Sequence, residues 1–103
     1  MVKHGIKTVK LIFTEDRQPG VAKTCFKTCH VYLGNVLKDS TEEKYKRINL
    51  SNEAFQKRVC KINGGLLILK GAGFVEQPDN TLLIENFDMD VVKEAIRLLE
   101  SNL

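Results

Sequence analysis

From Val21 to Lys38, apolar residues recur at three- and four-residue steps: Val21, Cys25, Cys29, Tyr32, Leu33, Val36 and Leu37. A helix turns once in about 3.6 residues, so these steps put all seven on one side. The spacing predicts a helix over the whole stretch, ended by Asp39-Ser40-Thr41. Ser40 stands three residues before Glu43, the spacing of a capping box, in which a serine oxygen and a glutamate each satisfy an orphan backbone N–H. A second helix is therefore expected from about Thr41 to Ile48. Asn49-Leu50-Ser51-Asn52 interrupts it, and Ser51 or Asn52 can cap a short third helix from Glu53 to Val59. After Ile62-Asn63-Gly64-Gly65, the run Leu66 to Lys70 reads as a fourth helix, with Gly71 or Gly73 as its terminator. Two adjacent glycines cost backbone entropy, so the Gly64-Gly65 pair marks a sharp turn or a tight approach.

The pattern then changes period. Phe74-Val75-Glu76 and Thr81-Leu82-Leu83-Ile84 flank Gln77-Pro78-Asp79-Asn80, which predicts a hairpin. Asp88 or Asp90 caps a last helix from Met89 to about Ser101, with Val91, Val92, Ala95, Leu98 and Leu99 as its apolar stripe. Residues 1–20 are ambiguous. Thr8 to Phe13 is rich in β-branched and aromatic side chains and is a candidate strand; Thr14 to Gly20 is polar and ends in Pro-Gly. The reading is an N-terminal arm or linker over 1–20, followed by one domain over 21–103. Helices set apart from a small antiparallel sheet define the α+β class.

Composition narrows the function classes. A chain of 103 residues holds one domain. Three cysteines make a poor disulfide framework, and together with the apolar supply they favour a reducing compartment, cytoplasmic or nuclear. The net charge of +3 hides an asymmetry: residues 1–61 carry thirteen Lys/Arg against six Asp/Glu, and residues 62–103 carry three against seven. The first part of the chain is the place to meet an acidic partner.

Signs of catalysis are weak. Cys25 and Cys29 lie on the apolar stripe, where free cysteine is an ordinary core residue. With His30 and Cys60 they do not give the knuckle spacing of a zinc site. His30 follows Cys29 directly, and neighbours on a helix point about 100° apart, so no nucleophile–base pair forms there. Gly71-Ala72-Gly73 lacks the preceding strand and following helix of a phosphate loop. No enzyme activity, cofactor or metal is expected. The stretch 44–61 carries more information: Lys44, Lys46, Arg47, Lys57, Arg58 and Lys61 interleave with Tyr45 and Phe55. Phosphates on the lysines and bases on the aromatics would make a nucleic-acid surface. A solvated helical face with both aromatics in the core fits the same residues. So does a peptide site, in which the Asn52 amide holds a peptide backbone by donating and accepting together.

The run Lys44-Tyr45-Lys46-Arg47-Ile48-Asn49-Leu50-Ser51-Asn52-Glu53-Ala54-Phe55 resembles the signature of the PUB (or PUG) domain, found in peptide N-glycanase, in UBX-containing adaptors and in a linear-ubiquitin ligase. That signature reads roughly Lys-Tyr-Arg, then Ile-Arg, a gap, Asn, two residues, Phe. The resemblance continues through Arg58-Val59, Gly64-Gly65, Leu69 and Gly73-Phe74-Val75-Glu76, and covers about residues 21–103. It implies a helical fold with a small antiparallel sheet. It also implies a module of ubiquitin-linked protein quality control that docks the acidic C-terminal tail of the hexameric valosin-containing AAA ATPase, whose Leu-Tyr pair enters a pocket between short helices. Carried onto this chain, Asn52 and Phe55 match the peptide-contacting pair, and Lys44 and Tyr45 lie beside the pocket. Gly64 and Gly65 border the groove, and Arg47 falls at a variable position. Asn49 departs from the pattern, because the family commonly has Arg there to meet the acidic tail. Its loss removes a charge-assisted contact, for which nearby lysines substitute only as point charges.

Overall fold

A computed structural model describes residues 1–39 and 41–103 of the chain. Among them the order is α1 (Val2–Ile12), α2 (Val21–Lys38), α3 (Glu43–Lys46), β1 (Arg47–Asn49), α4 (Glu53–Phe55), α5 (Gly65–Ala72), β2 (Val75–Glu76), β3 (Thr81–Leu83) and α6 (Met89–Glu100). Helix α4 runs directly into a wider, π-type turn over Gln56–Cys60. The α+β expectation holds, and α2 has the bounds that its periodicity predicts.

Helix α5 sits at the centre because its sequence, Gly-Leu-Leu-Ile-Leu-Lys-Gly-Ala, is apolar almost all round, and such a helix must be covered on more than one side. Ile68, Leu69 and Ala72 are buried. Helix α2 contributes Cys25, Phe26, Cys29, Leu33 and Val36 to the same core, and α6 adds Val92, Ala95 and Leu99. Gly73 ends α5 at φ +129°, a backbone region that residues with a Cβ rarely enter.

The N-terminal segment corrects the sequence reading. The strand expected over Thr8–Phe13 is instead the second half of α1 with its end, and α1 packs along α5. Ile6 and Val9 are buried in the common core. The approach is so close that a Cβ on Gly5 would lie 2.7 Å from the Gly64 carbonyl oxygen, and one on Gly71 would lie 2.6 Å from the Val2 nitrogen. Helix α1 has no side-chain cap and contains glycine, valine and threonine, so packing rather than propensity holds it.

The sheet has the order β1-β3-β2, with both pairings antiparallel. Strand β1 was not anticipated: Arg47 and Ile48, expected at the end of a helix, pair with Leu83 and Leu82. Successive side chains on a strand point to opposite faces. Ile48 and its partner Leu82 are buried, while Arg47 and Asn49 face solvent. This alternation is what leaves Arg47 and Asn49 exposed. The expected capping box involves Ser40 and lies outside the described residues. Helix α3 starts after Glu42, and the Asp39 carboxylate accepts from the Thr41 N–H at 3.3 Å and from its hydroxyl at 2.9 Å.

Candidate peptide-docking surface

The segment from α3 to α4 forms one surface, and the hairpin fixes its shape. Asn49 Oδ1 accepts from the Ser51 N–H at 2.8 Å, an Asx turn that bends the chain out of β1. At the hairpin tip Asn80, at φ +65°, presents its carbonyl to the Leu50 N–H at 3.0 Å, and its amide donates to Ser51 Oγ at 2.7 Å. Gln56 Nε2 donates to the Leu50 carbonyl at 3.0 Å from the other side. The loop between β1 and α4 is thus tied to both neighbours. Asn52 follows as the cap of α4, its Oδ1 accepting from the Phe55 N–H at 2.9 Å. Its NH2 has no hydrogen-bond partner among the described residues and is exposed.

Two shallow hollows lie on this surface. One, of about 440 Å³, is lined by Asn52, Glu53, Ala54, Lys57 and Arg58. The other, of about 420 Å³, is lined by Glu43, Lys44, Arg47, Asn49 and Thr81. Both have a basic wall. Lys57 reaches Glu53 at 3.2 Å across one helical turn, whereas Arg58 and Lys44 have no carboxylate within 4 Å among the described residues. Lys44 Nζ stands 5.5 Å from the centroid of the Tyr45 ring. Arg47 is held by Asp79 at 3.4 Å and by the Thr81 hydroxyl at 3.3 Å, so its guanidinium is partly committed to the hairpin.

Three of the expected site residues are placed differently from the expectation. Phe55 does not floor an open pocket: it is 1% exposed and packs edge-on against the Tyr32 ring, with centroids 5.5 Å apart at 85°. The physical reason is that α4 is only one turn long and its single large apolar residue must enter the core. Gly64 and Gly65 do not border the Asn52 hollow. Gly64 meets Gly5 and Thr8 of α1, and a Cβ on Gly65 would lie 2.5 Å from the Val59 carbonyl oxygen. They are the tight approach that an adjacent glycine pair marks. Tyr45 is half-buried, whereas Lys44, Arg47, Asn49 and Asn52 are exposed. The nucleic-acid reading loses one stacking ring with Phe55 sealed in the core.

A second aromatic, Tyr32 on α2, which the periodicity assigns to the core stripe, lies behind this surface against Phe55. It is half-buried. Burial raises the pKa of its phenol, the nearby Arg58 guanidinium works against that rise, and Cys29 adds to it. Only the tertiary contact of its ring with Phe55 distinguishes Tyr32 from the other residues of the α2 stripe. The cysteines are structural in their setting: Cys25 and Cys29 are buried on α2, and a hydrogen bond between them together with burial pushes the Cys29 thiol well above its ordinary range.

Comparison with known proteins agrees with this architecture. The model of the PUB domain family matches residues 20–100. UBX domain-containing protein 6 of Caenorhabditis elegans is 40% identical over 57 residues, which are 55% of this chain and 13% of that protein. The chain therefore corresponds to a small part of this relative. The chain belongs to the PUB domain family, and it is accordingly a protein-interaction module.

Proposed function

We propose that this domain docks the acidic C-terminal tail of the hexameric valosin-containing AAA ATPase, as an adaptor element of ubiquitin-linked protein quality control with no chemistry of its own. The observation that carries the reading is the Asn52 hollow. There an amide with an unused donor sits beside Lys57 and Arg58 on a loop clamped by the hairpin. A peptide backbone carbonyl accepts from the Asn52 amide. Arg58 and Lys57 meet the tail's carboxylates, and the tail's aromatic lies against the Tyr32 edge and the Arg58 guanidinium plane. Lys44 and Arg47 extend the basic wall toward residues further back in the tail. The membership of the PUB family and the likeness to a UBX domain-containing protein support this choice of partner.

The site is small and shallow, so a micromolar affinity is expected once the association cost of at least about 4 kcal/mol is met. Calorimetry with a synthetic tail peptide ending in the Leu-Tyr pair tests the proposal. Asn52→Asp is the informative variant, because aspartate keeps the cap on the Phe55 N–H but removes the amide donor and adds a repelling charge. An unchanged melting temperature with at least about tenfold weaker binding is expected. Equal affinity for both proteins, or none for the wild type, overturns the assignment.

A further inference from the structure

A second concave surface lies between α1 and α6 and shares no residue with the tail site. Its floor is apolar, built from Ile6, Leu11 and Leu98, and its volume is about 450 Å³. Lys3, Lys7 and Lys10 rim it. Their spacing of four and three residues aligns them along one side of α1. Leu11 is 68% exposed. The hollow continues past Lys10 and Asn102 into a neighbouring one of about 460 Å³, where Phe13 and Phe26 take over the floor and Lys23 joins the wall.

The charge here is only weakly compensated: Lys3 is close enough to Glu94 to help lower that carboxyl's pKa, after Arg97, but forms no ion pair with it. Helix α1 contains no acidic residue, and none of the three lysines has a carboxylate within 4 Å among the described residues. Lys10 Nζ donates to Asn102 Oδ1 at 2.9 Å, a neutral partner that positions the ammonium without cancelling it. Two acids of α6 have direct partners of their own: Glu94 pairs with Arg97, and Glu100 with His30 at 3.0 Å. Glu15, on the adjoining wall, accepts from the Gly20 N–H at 3.1 Å.

We propose that the α1–α6 groove is a second docking site, for an acidic segment of a partner protein that inserts an apolar side chain between Lys7 and Leu98. Charge complementarity selects the occupant: the aligned ammonium groups call for carboxylates, and the apolar floor calls for a large aliphatic or aromatic anchor. A bilayer also offers negative charge and hydrocarbon, but it is flat. The apolar atoms here line a concavity between two helices, a shape that a side chain fits more closely than a flat membrane surface does.

The test uses the whole 103-residue chain, labelled with nitrogen-15, and a synthetic amphipathic peptide with leucines on one face flanked by glutamates. Saturable amide shifts confined to α1 and α6 are expected. Affinity should fall about tenfold in Lys3→Glu/Lys7→Glu, or when the peptide's glutamates become glutamines, and should stay the same in Asn52→Asp. Both lysines are exposed, so the double variant should melt as the wild type does. The last comparison separates this groove from the tail site, since either can fail without the other. Absence of saturable shifts overturns the proposal, as do shifts confined to α3, β1 and α4 or equal affinity for the glutamine peptide. Vesicles of phosphatidylserine and phosphatidylcholine provide the remaining arm: sedimentation of the chain with vesicles but no binding of the peptide also overturns it, in favour of a lipid surface.

Discussion

The Asn52 side chain carries one oxygen and one nitrogen, and the fold occupies only the oxygen. That division explains how one residue can start a helix and still be available to a ligand. Phe55, three residues later, is in the opposite position: its ring is entirely internal. Truncation to alanine would remove a large buried ring at a cost of about 3–5 kcal/mol, a large fraction of the total stability of a small domain. Lost peptide binding in Phe55→Ala would therefore report unfolding. Phe55→Leu is the sharper variant. It should lower the unfolding free energy by about 1–2 kcal/mol, reading the residue as packing, while tail affinity measured on the folded fraction stays within about twofold, a change of less than 1 kcal/mol. A large selective loss of affinity would instead make Phe55 a contact residue.

At the scale of elements, local signals and long-range ones separate cleanly. Helix α2, a cap at Ser51 or Asn52, the hairpin and a cap at Asp88 or Asp90 are legible because each is specified within a few residues: a period, a side-chain oxygen before a helix, a turn sequence between apolar runs; the structure selects Asn52 and Asp88. Strand β1 is not legible, because three residues with one inward apolar side chain do not establish a period of two; pairing with β3 makes it a strand. Helix α1 is masked in the sequence because Thr8 to Phe13 is rich in β-branched and aromatic residues. Its helical signal was nevertheless present in Val2, Ile6, Val9 and Phe13, spaced four, three and four apart, all at least half-buried. Of the candidate site, the basic residues and Asn52 are legible from their motif, while the sealing of Phe55 against Tyr32 depends on tertiary packing. The contact of α1 with α5 gives a direct test. Gly5→Ala would drive a methyl to 2.7 Å from the Gly64 carbonyl and 2.9 Å from the Ile68 side chain. It should destabilise the chain by about 1–3 kcal/mol, despite the better helix propensity of alanine. Urea titration followed by circular dichroism measures this. A gain in stability would mean that α1 and α5 are not in backbone contact in solution.

Across the whole molecule, three acids with raised pKa values, one buried and two half-buried, share one sign. The Cys29 thiol is raised by its hydrogen bond with Cys25 and by burial, the Cys60 thiol by burial and then Glu76, and the Tyr32 phenol by burial. A raised acid pKa in the folded state means that the unfolded chain releases its protons first. Stability is therefore full below the ordinary thiol range and declines as pH rises from about 8.5 toward the folded-state values. Urea midpoints in reductant should fall from pH 7.5 to 9.5, both test conditions that bracket the ordinary thiol value of about 8.5. The decline should be shallower in Cys29→Ala than in the wild type. Identical slopes would remove Cys29 as a contributor.

The bonds from the hairpin tip to Leu50 and Ser51 bear on the rate of recognition. A receptor loop fastened before its guest arrives has no slow rearrangement to undergo, so encounter itself sets the pace. In stopped-flow mixing, the observed rate should climb in a straight line with peptide concentration, without a plateau. Asn80→Ala removes the side-chain bond to Ser51 and leaves alanine at a left-handed φ, loosening the fastening; it should bend that line, because the loop would then have to find its shape during each encounter.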